Sequence, residues 1–191
     1  MSIDPATDTK LQPTQRSTSL NRSGFSRRLI RKFFLLFIIS ILGLAAMSFT
    51  GQGPENLGHI DGRLANCPDS PNCVCSQAHA VTRSNDHQMD PIPYDSLRLI
   101  SDGQAITKAF LIQRIKETIE RNFSRASLIS ESDRYLHFEF RSLLFRFVDD
   151  VEFYLDDNNQ QIHFRSASRV GYSDMGVNRK RMNKISQELK K

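Results

Sequence analysis

The sequence predicts an α+β protein, with an N-terminal transmembrane helix followed by a single domain built of an antiparallel meander sheet and two packed helices. Three observations lead there. An uncharged run of seventeen residues, FFLLFIISILGLAAMSF, occupies Phe33 to Phe49. Two stretches near 106–123 and 177–189 repeat apolar residues every three or four positions. Between them, residues 135–170 alternate with period two across one turn-forming stretch, DDNNQ.

As a helix the apolar run spans about 25 Å, near the short end of what crosses a bilayer. Arg22, Arg27, Arg28, Arg31 and Lys32 precede it, and the next Lys or Arg is Arg63. That asymmetry predicts a cytoplasmic N-terminus and an extracytoplasmic remainder, in a compartment of the periplasm or thylakoid-lumen type. Two other readings stand beside an uncleaved anchor. One is a signal peptide, with Ala46 and Ser48 as the small residues of its cleavage site. The other is a buried core helix. Residues 1–26, rich in Ser, Thr, Asp, Gln and Pro, read as a disordered cytoplasmic tail. Residues 27–50 are the basic flank and anchor, 51–65 a linker with turns (GQGPENLG, DGRL), and 66–191 the extracytoplasmic domain.

The formal net charge is +5. Residues 1–32 carry all of it, with seven Lys/Arg against two Asp, while 33–191 hold nineteen of each sign. The domain is therefore neutral overall, which argues against a nucleic-acid partner. Within it, 165–191 hold eight Lys/Arg against Asp174 and Glu188. Such a basic end serves as a solvated helix face, an anionic partner site or a patch facing lipid headgroups.

Residues 66–100 are loop-rich, with Pro91 and Pro93 enforcing extended backbone around Ile92, and such a stretch wraps the core or forms a site. The first helix starts near Ser101, with Ser101 and Gln104 at capping-box spacing or Asp102 as the cap. Ile112, Ile115, Ile119 and Phe123 form its apolar stripe, flanked by Ile106, Ala109 and Phe110, and it runs to about Asn122. Strands are expected at 126–130, at Tyr135 to Arg141 (Leu136, Phe138 and Phe140 on one face), at Phe145 to Leu155 and at Gln161 to Val170. A two-residue loop at Asn158–Asn159 places Phe153 opposite Phe164, Leu155 opposite Ile162, Glu152 opposite Arg165 and Tyr154 opposite His163. Asp149 then falls on the apolar face, opposite Ser168, where a carboxylate needs a partner. Ser173 or Asp174 caps a last helix with Val177, Met182, Ile185 and Leu189 as its stripe. Helices on one face of a sheet complete the expected architecture.

Two constellations bear chemistry. Cys67, Cys73 and Cys75 are the only cysteines and lie within nine residues. Cys67 and Cys73 could close the tight loop around Pro68 and Pro71, whereas Cys73–Cys75 demands a strained ring. With His79 the three make a Cys3His metal set, although the spacing fits no common zinc pattern. The second constellation, FRFVDDVEF with FRSASRVGYSDMGVNRKR, brings charges together through the hairpin. It reads as an ion-pair network holding the last helix, or as an anion site with Arg146, Arg165, Arg169 and Arg179 as donors. Asp149 or Asp150 would be the base of a hydrolase, with His163 poorly placed to help.

The combination NLG…DGRLANCPDSPNCVCSQ, then FRFVDDVEFYLDD, then IHFRSASRVGYSDMGVNRKR resembles the domain-of-unknown-function family number 1499 over roughly residues 54–189. The resemblance implies that the Cys67–Cys73 loop, the Asp149–Asp150 pair and the Arg165-to-Arg181 run are signature residues. It also implies a Cys67–Cys73 structural disulfide, because the family pattern usually has Ser where this chain has Cys75. It implies no activity. The expectation is a membrane-anchored extracytoplasmic binding or accessory module, held in the bilayer through residues 33–49, with no cofactor. It would recognise an anionic ligand, a lipid headgroup or a partner membrane protein. The alternative is a membrane-associated hydrolase using Asp149 or Asp150.

Overall fold

The computed structural model describes residues 27–49, 53–54, 56–77, 87–97 and 106–191. The tail at 1–26, the caps expected at Ser101, Asp102 and Gln104, and His79 lie outside the described residues. The chain divides after Ile39 into two units. The first helix, α1 (Arg27–Phe49), is unbroken. Its described side chains, residues 29–43, are all exposed, whereas a core helix buries a stripe. No helix is long and apolar enough to cross a membrane among the described residues.

The folded unit is organised by one antiparallel sheet. Its strands are β3 (Cys73–Cys75), β4 (Ile92–Pro93), β5 (Ala126–Glu131), β6 (Tyr135–Arg141), β7 (Val148–Asp156) and β8 (Gln161–Ser168). The order is β3-β8-β7-β6-β5, with β4 also pairing β8. The β7–β8 register agrees with the expected one at every residue, including Glu152 opposite Arg165 and Asp149 opposite Ser168. The connection is longer than a two-residue loop, because pairing stops at Asp156–Gln161 and Gln160 turns the chain at φ 53. The strand expected from Phe145 begins at Val148. Residues 142–147 form a loop instead, closed by the Ser142 N–H to the Phe147 carbonyl (2.9 Å) and the Phe147 N–H to Ser142 Oγ (2.9 Å). Arg146 sits in that loop at φ 55.

Two helices cover one face. In α2 (Lys108–Asn122), Leu111, Ile112, Ile115 and Ile119 are buried, and Thr107 caps the start by accepting from the Phe110 N–H. In α3 (Val177–Leu189), Met182, Ile185 and Leu189 are fully buried. Val177, expected in that stripe, is instead exposed at the first turn. Asp174 anchors this start by accepting from the Gly176 and Asn178 N–H groups, at 2.9 and 2.7 Å. Between helices and sheet lie Phe138, Phe153, Phe164, Val151, Leu136, Leu155 and Ile162, with Val74 and Ile92 from the edge strands.

The opposite face is covered by the chain's own front segment. Where a linker is expected, β1 (His59–Ile60) and β2 (Arg63–Leu64) form a hairpin packed on the sheet. Its turn residues Asp61 and Gly62 both have positive φ, the conformation that an Asp-Gly pair favours between two strands. Gly62 is required twice over, since a Cβ there would meet Tyr154 Oη at 3.0 Å. The His59 ring lies 4.6 Å from that of Tyr154. Cys67 and Cys73 are joined as a disulfide with Cα atoms 5.6 Å apart, packed beside Cys75 and Ala167. Cys75 remains a buried free thiol, and burial pushes its pKa up.

Candidate functional site

Period-two geometry sends Asp149 and Asp150 to opposite faces, so they do not act as a pair. Asp150 faces the front segment together with Glu152, its neighbour two residues on. Glu152 is completely buried and accepts from the Gly58 N–H (2.7 Å), the Tyr135 hydroxyl (2.8 Å) and Arg165 Nη1 (3.1 Å). Asp150 is gripped by Arg169 through Nε (2.9 Å) and Nη2 (2.8 Å), and lies 2.8 Å from His137 Nε2. Burial alone would raise the Asp150 pKa. The hydrogen bonds from Arg169 and His137 outweigh it and hold the carboxyl below the usual carboxylate range. Arg169 also reaches Glu139 at 2.5 Å, and Glu139 takes Arg141 at 2.6 Å. Three carboxylates thus meet three guanidiniums in a layer that is buried at Glu152 and Asp150 and opens to solvent at Arg141.

Asp149 sits at the end of the helix-covered face and is bonded by Arg181 from α3. Arg181 also donates to Ser166 Oγ (3.1 Å) and Asn178 Oδ1 (2.5 Å). Buried Asn178 continues the network to the Asn72 carbonyl at 2.9 Å, which ties the start of α3 to the disulfide loop.

The four arginines expected as ligand donors are not brought together. Arg165 and Arg169 are spent on the ionic layer. Arg179 reaches the Gln88 carbonyl, and Arg146 is exposed in the 142–147 loop. The Cys3His metal set is overturned in the same way, because the disulfide takes two of its four ligands. His163 lies 3.5 Å from Asp156 and not near Asp149 or Asp150. Burial lowers its pKa, against the opposing pull of Asp156.

A different cluster forms where α2, β6 and α3 end together. A groove of about 410 Å³ is lined by Arg125, Arg141, Lys180, Arg181 and Lys184, with Asp149 as the only acid. Its floor is aromatic. The Arg181 guanidinium lies 4.7 Å over the Phe140 ring and Lys184 Nζ 4.8 Å over Phe123. These contacts and the Asp149 pair fix Arg181 and Lys184 before anything binds, which suits an anion with an apolar portion. A second depression of about 230 Å³ adjoins it, sharing Ser142, Asp149 and Val177, and runs between the 142–147 and 170–177 loops. The sequence did signal the Lys180, Arg181 and Lys184 part, as the basic C-terminal end. Arg125 and Arg141 join only through the β5–β6 register, where Ala126 pairs with Phe140 and the Arg141 N–H donates to the Arg125 carbonyl at 3.0 Å.

Neither the curated proteins nor the solved structures contain a match to this chain. The family model described as Protein of unknown function (DUF1499) matches residues 63–189, from the β1–β2 hairpin to the end of α3, and the chain belongs to that family.

Proposed function

We propose that this protein is a membrane-tethered, extracytoplasmic module that binds an anionic ligand in the basic groove beside Asp149. The observation that carries the binding reading is the groove itself, lined by five cations, of which Arg141 and Arg181 also pair with Glu139 and Asp149 and two are seated on aromatic rings. The tether reading is supported by the uncharged run Phe33–Phe49, by its basic N-terminal flank, and by the exposure of every described side chain in α1. The extracytoplasmic reading is supported by the same charge asymmetry and by the disulfide, which persists in oxidising compartments. The hydrolase alternative has no such support. Asp149 and Asp150 face opposite ways, and each is held by an arginine rather than poised over an open position for water.

Binding is tested by titrating the full chain, in a non-ionic detergent, with glycerol 3-phosphate and with a carboxylate of equal size. Binding that weakens steeply with salt and falls at least tenfold in Lys180→Glu/Lys184→Glu is the expected result. A chain that binds neither anion, or a variant that binds as well as the parent, refutes the groove. Topology is read separately from enzyme reporters fused at Gly53 and Lys191. A reporter active only in the cytoplasm should be silent at both positions.

A further inference from the structure

We infer that the end of the domain carrying the 142–147 and 170–177 loops is a membrane-docking surface for an anionic bilayer. Four large side chains there are almost fully out of the protein: Leu143 at 75%, Leu144 at 78%, Tyr172 at 77% and Met175 at 88% exposure. The two loops that carry them border one depression, through Ser142 and Phe147 on one side and Gly171, Ser173 and Asp174 on the other. Behind Leu143 and Leu144, the Phe145 and Phe147 rings stack 5.5 Å apart and give the tip an aromatic base. Apolar tips of this size in a folded domain mark an interaction surface.

Charge selects the occupant. Arg146 stands between Phe145 and Phe147 in its loop, and the basic groove with Lys180 opens beside Val177. Leucine and tyrosine at the tip with a collar of cations is the pattern that inserts into headgroups and the outer acyl region of an anionic leaflet. A protein partner of ordinary polarity would not need the collar.

A second, independent observation concerns where the chain enters the domain. Gly53 lies against the Arg169 guanidinium, and a Cβ there would be 3.6 Å from Nη2. Arg169 is bonded through its N–H to the Val148 carbonyl, at the root of both loops. Three residues, 50–52, separate Gly53 from the end of the apolar run, a reach of about 14 Å. Gly53, the first described residue after α1, thus meets the domain at the root of the same two loops. This inference rests on the proposed tether and extends the anion reading to a surface that the groove alone does not define.

The chain has no tryptophan, so Leu144→Trp installs a single depth probe at a position where the native side chain is mostly solvent-exposed. The full-length variant is reconstituted into phosphatidylcholine vesicles with or without phosphatidylglycerol, each with brominated acyl chains as quencher. The expected result is a blue-shifted emission that loses most of its intensity to the quencher only when phosphatidylglycerol is present, and that recovers in high salt or on adding Arg146→Glu. A control Ile129→Trp, on the edge strand, should be quenched in neither vesicle. Unquenched Leu144→Trp in both vesicles overturns the inference, as does a blue shift in detergent that grows with protein concentration and so reports self-association. If glycerol 3-phosphate still binds the groove in that outcome, the anion reading survives. Native near-ultraviolet dichroism of each variant shows that the fold is intact.

Discussion

The two faces of the central sheet are held by opposite chemistry. The face under α2 and α3 is a continuous apolar core, with Phe138, Phe153, Phe164, Met182 and Ile185 at or near zero exposure. The face under the front segment is equally dry but ionic, with Glu152, Asp150, Arg165 and His137 all at 5% exposure or less. The apolar side gains stability from area and packing and tolerates replacement by similar shapes. On the ionic side the carboxylates are matched by named partners, while Arg165 Nε is buried without one among the described residues, so each carboxylate is replaceable only together with its partners. The lesson is that a dense cluster of charged signature residues need not be a reaction centre. Here Glu152 and Asp150 bind the protein's own N-terminal segment and its own arginines.

The largest effects come from breaking each face at one residue. Glu152→Ala should cost about 3–5 kcal/mol, because it leaves Arg165 buried without its counter-ion. Phe153→Ala, its neighbour facing the other way, should cost a similar ~3–5 kcal/mol through a cavity. The faces separate in the second step. Glu152→Leu with Arg165→Met and Tyr135→Phe, which leaves only the Gly58 N–H of the Glu152 donors unpaired, should recover more than half of the loss, and this would be read from denaturant unfolding of the full chain in detergent by circular dichroism. A Glu152→Ala cost below about 1 kcal/mol, the range of a solvent-exposed pair, would mean the ionic layer is not structural.

Next in size is the disulfide. Cys67→Ser with Cys73→Ser should lose about 2–4 kcal/mol and loosen the front segment first, visible as faster proteolysis near residues 56–70. Loss of the helix-covered core at the same rate would contradict the division between the faces.

The smallest expected effect is an acid limb specific to the ionic face. The native pKa of Asp150 lies below its unfolded value, and so does that of His163. In each case the unfolded chain takes up the proton first. Stability is therefore present above the unfolded values and is lost as pH falls, from about 6.5 for His163 and from about 3.9 for Asp150. Asp150→Asn should flatten the lower part of that profile and leave the upper part in place.

Much of the fold was legible in the sequence. The β7–β8 register could be read because Phe153 fell opposite Phe164, Leu155 opposite Ile162 and Glu152 opposite Arg165. The α3 stripe could be read because Met182, Ile185 and Leu189 keep helical spacing. Phe145 and Phe147 misled for a physical reason, since their alternation fits a strand while the backbone at Arg146 takes positive φ and folds the segment into a loop. The hairpin at 59–64 was read only as a turn, because strands of two residues carry no period. The site was legible least. Which arginines are consumed by carboxylates depends on contacts such as Arg169 to Asp150 and Glu139, nineteen and thirty residues away. No local pattern distinguishes those from Lys180 or Lys184.

The front segment also sets an order of events during synthesis. Gly58 emerges 94 residues before Glu152, the group that anchors it. Until the β7–β8 hairpin exists, the segment has nothing to close upon, and its cysteines are unburied. The Cys67–Cys73 loop spans only six positions and needs no distant partner. Its closure requires none of the later strands, and before they pair the competing thiol of Cys75 is unshielded. Pairing of β8 with the segment buries Cys75, so the last strand to be made is the one that shields the spare thiol from exchange.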